Sequence, residues 1–162
     1  MTVKLNAFEI FEIAEQIEHN GAMFYRKAAN IFDDPHVCEM FIKLSEWETK
    51  HKKVFASMKK QLSDLNLEPG TFKPEEKLPV PKAMAGLAVF GIKPEPAEEL
   101  NGKESEAEIL KKAIEKEEDS IVFYNGLKDF VPAKAAKNKI DDIIQEEMRH
   151  IRILNRLCKR KD

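Results

Sequence analysis

The sequence predicts an all-α protein, an antiparallel four-helix bundle built from two helical hairpins that a long connection joins. Three observations support this prediction. Apolar residues recur at helical spacing over four long segments. Six of the eight prolines fall between the second and third segments, where no long helix can cross. The second half of the chain also repeats the pattern of the first half. We expect a single domain over residues 1–162, with a first hairpin over about 6–62, a crossover connection over about 63–104 and a second hairpin over about 105–160.

Each predicted helix has a start signal. Asn6 and Glu9 have the spacing of a capping box, in which side chains and backbone N–H groups of the first turn satisfy each other. Ser105 and Glu108 have the same spacing. The sequence FDDP is expected to end the first helix and begin the second, and Pro132 separates the third from the fourth. The predicted helices cover residues 7–32, about 35–62, about 106–128 and about 134–159.

The connection between the hairpins is long for a compact domain. It is explained if the third helix begins at the end of the bundle opposite to where the second helix stops, because the chain must then travel back along the bundle. A helix of about 28 residues is ~42 Å long, and a connection of about 40 residues spans that distance easily. Residues 83–90, AMAGLAVF, could form a short helix on the outside.

Composition argues against several classes of protein. The net charge of −2 gives no electrostatic attraction for nucleic acid. No apolar run approaches the ~20 residues that span a bilayer, and acidic residues come too early for a secretion signal. Cys38 and Cys158 lie far apart, so no C-x-x-C iron or zinc site is encoded and both thiols should be reduced. We expect a cytoplasmic protein that binds neither nucleic acid nor membrane.

The two hairpins carry matching residues at one constant offset along the chain. Residues 14–25, AEQIEHNGAMFY, align with residues 113–124, AIEKEEDSIVFY. At the same offset EWETKH (46–51) aligns with QEEMRH (145–150). The alignment pairs acidic, imidazole and aromatic residues of the two halves: Glu18 with Glu117, Glu48 with Glu147, His51 with His150, Phe24 with Phe123 and Tyr25 with Tyr124.

The spacing also places the paired carboxylates at one level of the bundle. Glu18 and Glu48 are equidistant from the FDDP turn, and Glu117 and Glu147 are equidistant from Pro132. In an antiparallel hairpin such residues lie at the same height, here ~22 Å from the turn. Each Glu-x-x-His presents both side chains on one helix face. Four glutamates and two histidines should therefore surround one centre in the middle of the bundle.

This combination is the ligand set of a di-iron or di-manganese carboxylate site. Hard divalent ions prefer carboxylate oxygens, one carboxylate can bridge two metals, and imidazole suits iron. Two divalent ions would neutralise four carboxylates that burial would otherwise drive toward protonation. A single E-x-x-H is more often part of a solvated face, so the prediction depends on the two matching copies. The predicted ligands are Glu18, Glu48, His51, Glu117, Glu147 and His150.

In these motifs, which occur in all four helices, the sequence resembles the rubrerythrin and ferritin-like di-iron carboxylate family. The resemblance implies a ferritin-like fold and two iron ions, with manganese or a mixed pair as alternatives. It also implies Glu48 and Glu147 as bridging ligands, with the other four residues as terminal ligands. The chain departs from rubrerythrins proper because it has no rubredoxin-type C-x-x-C pairs. It also lacks their extra carboxylate one turn from the third-helix glutamate, where it has Ala113, Ile114, Ser120 and Ile121.

The remaining polar and aromatic residues have more ordinary interpretations. Tyr25 and Tyr124 lie on the ligand face, so they either donate hydrogen bonds to ligand carboxylates or are core aromatics with their hydroxyls satisfied elsewhere. Trp47 and the methionines are expected to be core packing, and His19 and His36 to be surface histidines. Five flanking glutamates are expected to face solvent: Glu15, Glu46, Glu115, Glu118 and Glu146.

The resemblance favours a redox enzyme that reduces hydrogen peroxide or dioxygen at two iron ions. Because the chain encodes no rubredoxin-type site, electrons would come from a separate donor, such as a rubredoxin-like protein. Two alternatives stay open: a protein that binds or stores iron or manganese without turnover, and a helical scaffold with a structural metal site. A homodimer is one open assembly, since the connection could either cover the site or mediate dimerisation.

Overall fold

The computed structural model describes residues 4–64, 78–79, 100–131 and 134–160. It confirms an all-α four-helix bundle. A two-residue strand pair, β1 (Lys4–Leu5) and β2 (Leu78–Pro79), is antiparallel, with Lys4 opposite Pro79. A 3-10 helix, Lys128–Phe130, directly follows the third long helix. The long helices are α1 (Ala7–Ala29), α2 (Pro35–Asp64), α3 (Glu106–Leu127) and α4 (Lys134–Lys159).

The predicted start signals are present. In the first capping box the Glu9 N–H donates to Asn6 Oδ1 and the Asn6 N–H donates to Glu9 Oε2, both at 2.8 Å. The equivalent bonds join Ser105 and Glu108. At the start of α2, Asp34 Oδ1 accepts from the His36 N–H at 2.9 Å. These bonds satisfy N–H groups that have no partner within the first turn of a helix.

One predicted helix boundary is wrong. The first helix ends at Ala29 rather than at residue 32. The Asn30 N–H donates to the Lys27 carbonyl and the Ile31 N–H to the Ala28 carbonyl, which tightens the last turn before the chain reverses. The apolar stretch 83–90 lies outside the described residues.

Within the part of the chain that the structure describes, the hydrophobic core forms two clusters, one toward each end of the bundle. Cluster 1 joins the start of α1 and the end of α2 to the end of α3 and the start of α4; its fully buried members include Ile10, Phe11, Phe55, Phe123 and Ile140. Cluster 2 joins the opposite ends of the same helices, and its fully buried members include Phe24, Phe41, Leu44, Ile109 and Leu154. α2 ends in cluster 1 and α3 begins in cluster 2, so the two ends of the connection lie at opposite ends of the bundle. Among the described residues, no helix is both long and apolar enough to cross a membrane.

Candidate metal centre

Each helix contributes residues to cluster 1 at one end and to cluster 2 at the other. Between these two stretches, in the middle of each helix, lie buried polar and ionisable side chains. The structure brings all six predicted ligands together there, with at most 4% of each residue exposed. α1 and α3 each contribute one glutamate, and α2 and α4 each contribute a Glu-x-x-His pair. The six are Glu18, Glu48, His51, Glu117, Glu147 and His150.

The six side chains form two overlapping groups of four. One group contains Glu18 and His51, the other contains Glu117 and His150, and both contain Glu48 and Glu147. Within each group one potential ligand atom from every residue lies within 4.8 Å of the others. Two groups that share two carboxylates have the composition of a pair of neighbouring metal positions with two candidate bridges.

Each histidine presents Nδ1 to the carboxylates. His51 Nδ1 lies 3.0 Å from Glu147 Oε1 and 3.5 Å from Glu18 Oε2. His150 Nδ1 lies 2.9 Å from Glu147 Oε2, 3.2 Å from Glu48 Oε1 and 3.4 Å from Glu117 Oε1. The imidazole rings are stacked, with centroids 5.7 Å apart and planes inclined by 18°. The two Nδ1 atoms are therefore the nitrogen atoms that this centre could offer to a metal as ligands.

Many of these inward atoms have charged neighbours but no hydrogen bond of acceptable geometry. Such orphaned buried groups are costly in a native structure unless something else satisfies them. Divalent cations would satisfy these oxygen and nitrogen donors together, so the residues present fit a metal pair. The seven orphaned atoms in the centre are Glu18 Oε2, Glu48 Oε1, His51 Nδ1, Glu117 Oε2, both carboxylate oxygens of Glu147, and His150 Nδ1.

The two tyrosines bond across the interface between the hairpins. The Tyr25 hydroxyl donates to Glu117 Oε1, and the Tyr124 hydroxyl donates to Glu18 Oε1. In each of these glutamates the second oxygen is one of the orphaned atoms. Tyr124 thus holds Glu18 Oε1 while Glu18 Oε2 lies near His51 Nδ1, whereas the Glu117 oxygen that Tyr25 holds is also the one near His150 Nδ1. Burial, followed by the nearby carboxylates, raises the pKa of both hydroxyls well above the usual value, so both remain protonated donors.

Without metal, burial raises the pKa of most of the clustered carboxyl groups. Burial and then repulsion from Glu147 raise the pKa of Glu18 to about 7. Burial and then Glu48 and Glu117 raise the pKa of Glu147 to about 8, and the pKa of Glu48 is also raised well above its usual value. Burial, the largest single influence, acts in the same direction on Glu117, but His150, Glu147 and Tyr25 together outweigh it and lower its pKa.

The two histidines compensate part of this negative charge. Burial, the largest single influence, would lower the pKa of His51, but the nearby Glu147 and Glu18 carboxylates together outweigh burial and raise it strongly. Burial opposes the charge of His150 in the same way, and the nearby carboxylates of Glu117, Glu147 and Glu48 together raise its pKa. The metal-free centre therefore holds protons that metal ions would have to displace.

A close approach of backbone to carboxylate occurs at Gly21 on α1. A Cβ atom at this position would lie 2.9 Å from Glu48 Oε2, too close for an unshifted side chain. The glycine therefore provides room for a carboxylate that both groups share. Sequence reasoning missed Gly21, although it stands where the second hairpin has Ser120.

Glu146 and Trp47 meet the sequence expectation but also contact the histidines, whereas Glu15 departs from it. Glu146 is half exposed, as expected, but its Oε2 also lies 2.8 Å from His51 Nε2. Trp47 packs against cluster 2, and its indole also stacks on His150, with centroids 5.3 Å apart and planes inclined by 13°. Glu15 is only 18% exposed rather than solvated, and it forms a 2.7 Å ion pair with Lys59. The other residues expected at the surface are exposed: His19, His36, Glu46, Glu115 and Glu118.

The comparison with solved structures supports the fold. A crystal structure from Thermotoga maritima, provisionally described as a ferritin-like diiron-carboxylate protein, is similar to this chain, with a TM-score of 0.71. The sequences are 23% identical, and the similarity covers 100% of both chains. No family model and no curated protein matches the sequence. At this identity the likeness shows the ferritin-like fold alone, and the buried Glu and His groups indicate a metal site independently of it.

Proposed function

We propose that the protein is a non-haem di-iron carboxylate protein that reduces hydrogen peroxide or dioxygen, as rubrerythrin-like proteins do, with electrons from a separate donor. The observation that carries the proposal is the pair of four-residue groups sharing Glu48 and Glu147. Four carboxylates and two imidazoles suit two iron ions, and manganese or a mixed pair is compatible with the same donors because affinity alone does not select iron.

The chain's own residues would divide the work as follows. Glu48 and Glu147 would hold both ions, while Glu18 with His51 and Glu117 with His150 would complete the two positions. When bound, iron would supply redox electrons and Lewis acidity to the oxidant. The near-complete burial of the six residues, between two apolar clusters, limits the access of bulk water to the centre.

The electron balance requires a donor. Reducing one hydrogen peroxide to two waters consumes two electrons and two protons. The sequence has no C-x-x-C pair that could hold a second, rubredoxin-type iron. The electrons would therefore come from a separate rubredoxin-like protein or a small reductant.

The test is an anaerobic ferrous titration of metal-free protein, followed by hydrogen peroxide with and without a reductant. We expect two irons per chain, rapid development of near-ultraviolet absorption on oxidation, and steady peroxide consumption when the reductant is present. The variant Glu48→Gln removes a carboxylate common to both groups and should abolish binding of the iron pair. Its matched control, Glu46→Gln, changes an exposed glutamate on the same helix and should behave as the native protein.

Other results would point elsewhere. A single stoichiometric oxidation without turnover would contradict the enzymatic proposal and favour metal binding or storage. Storage would also need a closed shell of many subunits, so a monomer or homodimer on a sizing column would argue against it. Metal-dependent thermal stability without any reaction with oxidant would indicate a structural metal site.

A further inference from the structure

We propose that Glu146 is a positioning residue for His51, and that it makes the metal position beside His51 the tighter of the two and the first to fill. The inference rests on the proposed metal site and adds an order to it. It starts from the internal repeat, in which Glu146 of the second hairpin aligns with Trp47 of the first.

Both of these residues contact the histidine of the opposite hairpin. Glu146 Oε2 lies 2.8 Å from His51 Nε2. The Trp47 indole lies against the face of His150, with ring centroids 5.3 Å apart. The repeat thus places one residue of each hairpin against the imidazole of the other, and the chemistry of the two contacts differs.

A carboxylate at Nε2 sets the state of the imidazole. It accepts a hydrogen bond from the Nε2 proton, which leaves the Nδ1 lone pair for a metal and fixes the orientation of the ring. Because His51 Nδ1 already points to Glu18 and Glu147, this is the orientation that ligation requires. A partner of this kind typically strengthens metal binding by about 10–100-fold.

An indole cannot do the same for His150. The tryptophan Nε1–H is a donor only, so it cannot accept a hydrogen bond from an imidazole N–H. Stacking restrains the plane of the ring but does not select which nitrogen carries the proton. The position beside His150 therefore lacks, in Trp47, the function that Glu146 serves beside His51.

Charge acts in the same direction. Glu146 adds a fifth carboxylate next to the position beside His51. On the other side, the Arg149 guanidinium lies 5.9 Å from the centre of the Trp47 ring. Because Glu146 contacts His51 directly, whereas Arg149 lies against Trp47 and not against a ligand, it is the Glu146 charge that makes the position beside His51 more attractive to a divalent ion, with solvent screening reducing the effect because Glu146 reaches the surface.

The test is an anaerobic Co²⁺ titration of metal-free protein against a competing chelator, combined with anomalous diffraction from crystals loaded with one equivalent. In the native protein we expect two distinct steps and cobalt density beside His51. Glu146→Ala should weaken the first step by about 10–100-fold. Glu146→Gln, which keeps an acceptor oxygen without the charge, should show a smaller loss. The matched control is Glu115→Ala, because Glu115 is 59% exposed and Glu146 is 54% exposed, and it should leave both steps unchanged.

Two results would overturn the inference and leave the proposed function standing. One is cobalt density divided equally between the two positions at one equivalent. The other is a Glu146→Ala protein that folds, binds two Co²⁺ ions and keeps the native affinity for the first. If the native protein bound no cobalt or iron at all, the proposed function would fail as well, so the two failures are distinguishable.

Discussion

The two hairpins are alike at the centre and differ one layer outward. Each contributes a glutamate, a Glu-x-x-His pair and a tyrosine that bonds to the other hairpin's glutamate. Around this shared set, the first hairpin has Gly21 and Trp47 where the second has Ser120 and Glu146. The repeat thus determines which atoms are offered to metal, while the surrounding residues determine how each position behaves.

The likeness of the two hairpins predicts which glutamates have equivalent roles. Substituting these glutamates should give the largest effect on metal binding. Glu147→Gln should abolish binding of both metals, as should Glu48→Gln, since both residues belong to both groups. Glu18→Gln and Glu117→Gln should each leave about one metal per chain, because each belongs to one group. Metal content after anaerobic loading measures this directly. Loss of both metals from Glu117→Gln alone would contradict the two-position arrangement.

A change of pH should affect both hairpins together and give the next largest effect. Between pH 6 and 9 the metal-free native state holds more protons than the unfolded chain, because the pKa values of Glu18, Glu147 and both histidines are raised. Stability of the metal-free protein should therefore fall as pH rises from about 6 to 9, by about 1.4 kcal/mol per pH unit for each excess proton. Chemical denaturation at several pH values measures it.

Metal binding should reverse this trend, because ligation requires the deprotonated carboxylates and releases protons. Loaded protein should gain stability relative to metal-free protein as pH rises over the same interval. If metal-free protein became more stable between pH 6 and 9, the raised pKa values of the centre would be wrong. Titration of Glu18→Gln, which removes one of these groups, should give a shallower slope.

The smallest effect is expected at the difference between Gly21 and Ser120. Gly21→Ala should leave the metal-free fold intact, since the added Cβ meets the flexible end of the Glu48 side chain. The higher helix propensity of alanine would favour the folded state by up to ~1 kcal/mol. The shift of that carboxylate should weaken metal binding by about tenfold, or about 1.4 kcal/mol. Measuring metal affinity and thermal unfolding on one preparation tests whether the variant keeps its fold while binding metal more weakly.

Ser120→Ala is the counterpart in the second hairpin. The Ser120 hydroxyl donates to the Lys116 carbonyl of its own helix at 3.0 Å, so its loss should leave metal affinity close to native. Equal losses of affinity in Gly21→Ala and Ser120→Ala would show that this difference between the hairpins has no consequence for the centre.

The sequence predicted the helices and the six central residues because both depend on periodicity. Spacing along a helix places Glu48 and His51 on one face, and distance from a turn places Glu18 level with Glu48. Neither rule says which side chain of one hairpin meets which of the other. For this reason the sequence left two alternatives for the tyrosines, hydrogen bonds to ligand carboxylates or hydroxyls satisfied elsewhere, and the structure shows the Tyr25–Glu117 and Tyr124–Glu18 bonds.

The contact of Glu146 with His51 was missed for the same reason. Adjacent helix residues diverge by about 100°, so Glu146 was placed away from Glu147 and toward solvent. In a bundle that flank also faces the next helix, and the hydrogen bond lies there. One signal was present in the sequence: Trp47 and Glu146 occupy matching positions of the repeat but are unlike residues. The early end of the first helix at Ala29 depends on local turn geometry that periodicity does not encode.

The division of the core into two apolar clusters around a charged layer has a consequence for assembly of the hairpins. Leucine, isoleucine and phenylalanine tolerate sliding, since one apolar contact replaces another. A slip of one hairpin by a single turn, ~5.4 Å, would instead move Glu147 away from His51 and Glu117 away from Tyr25, and bring both toward cluster residues. Leaving such carboxylates unpaired in an apolar setting costs several kcal/mol. The charged layer that could hold metal thus also fixes the register of the two hairpins, because it favours one longitudinal alignment of two otherwise similar halves.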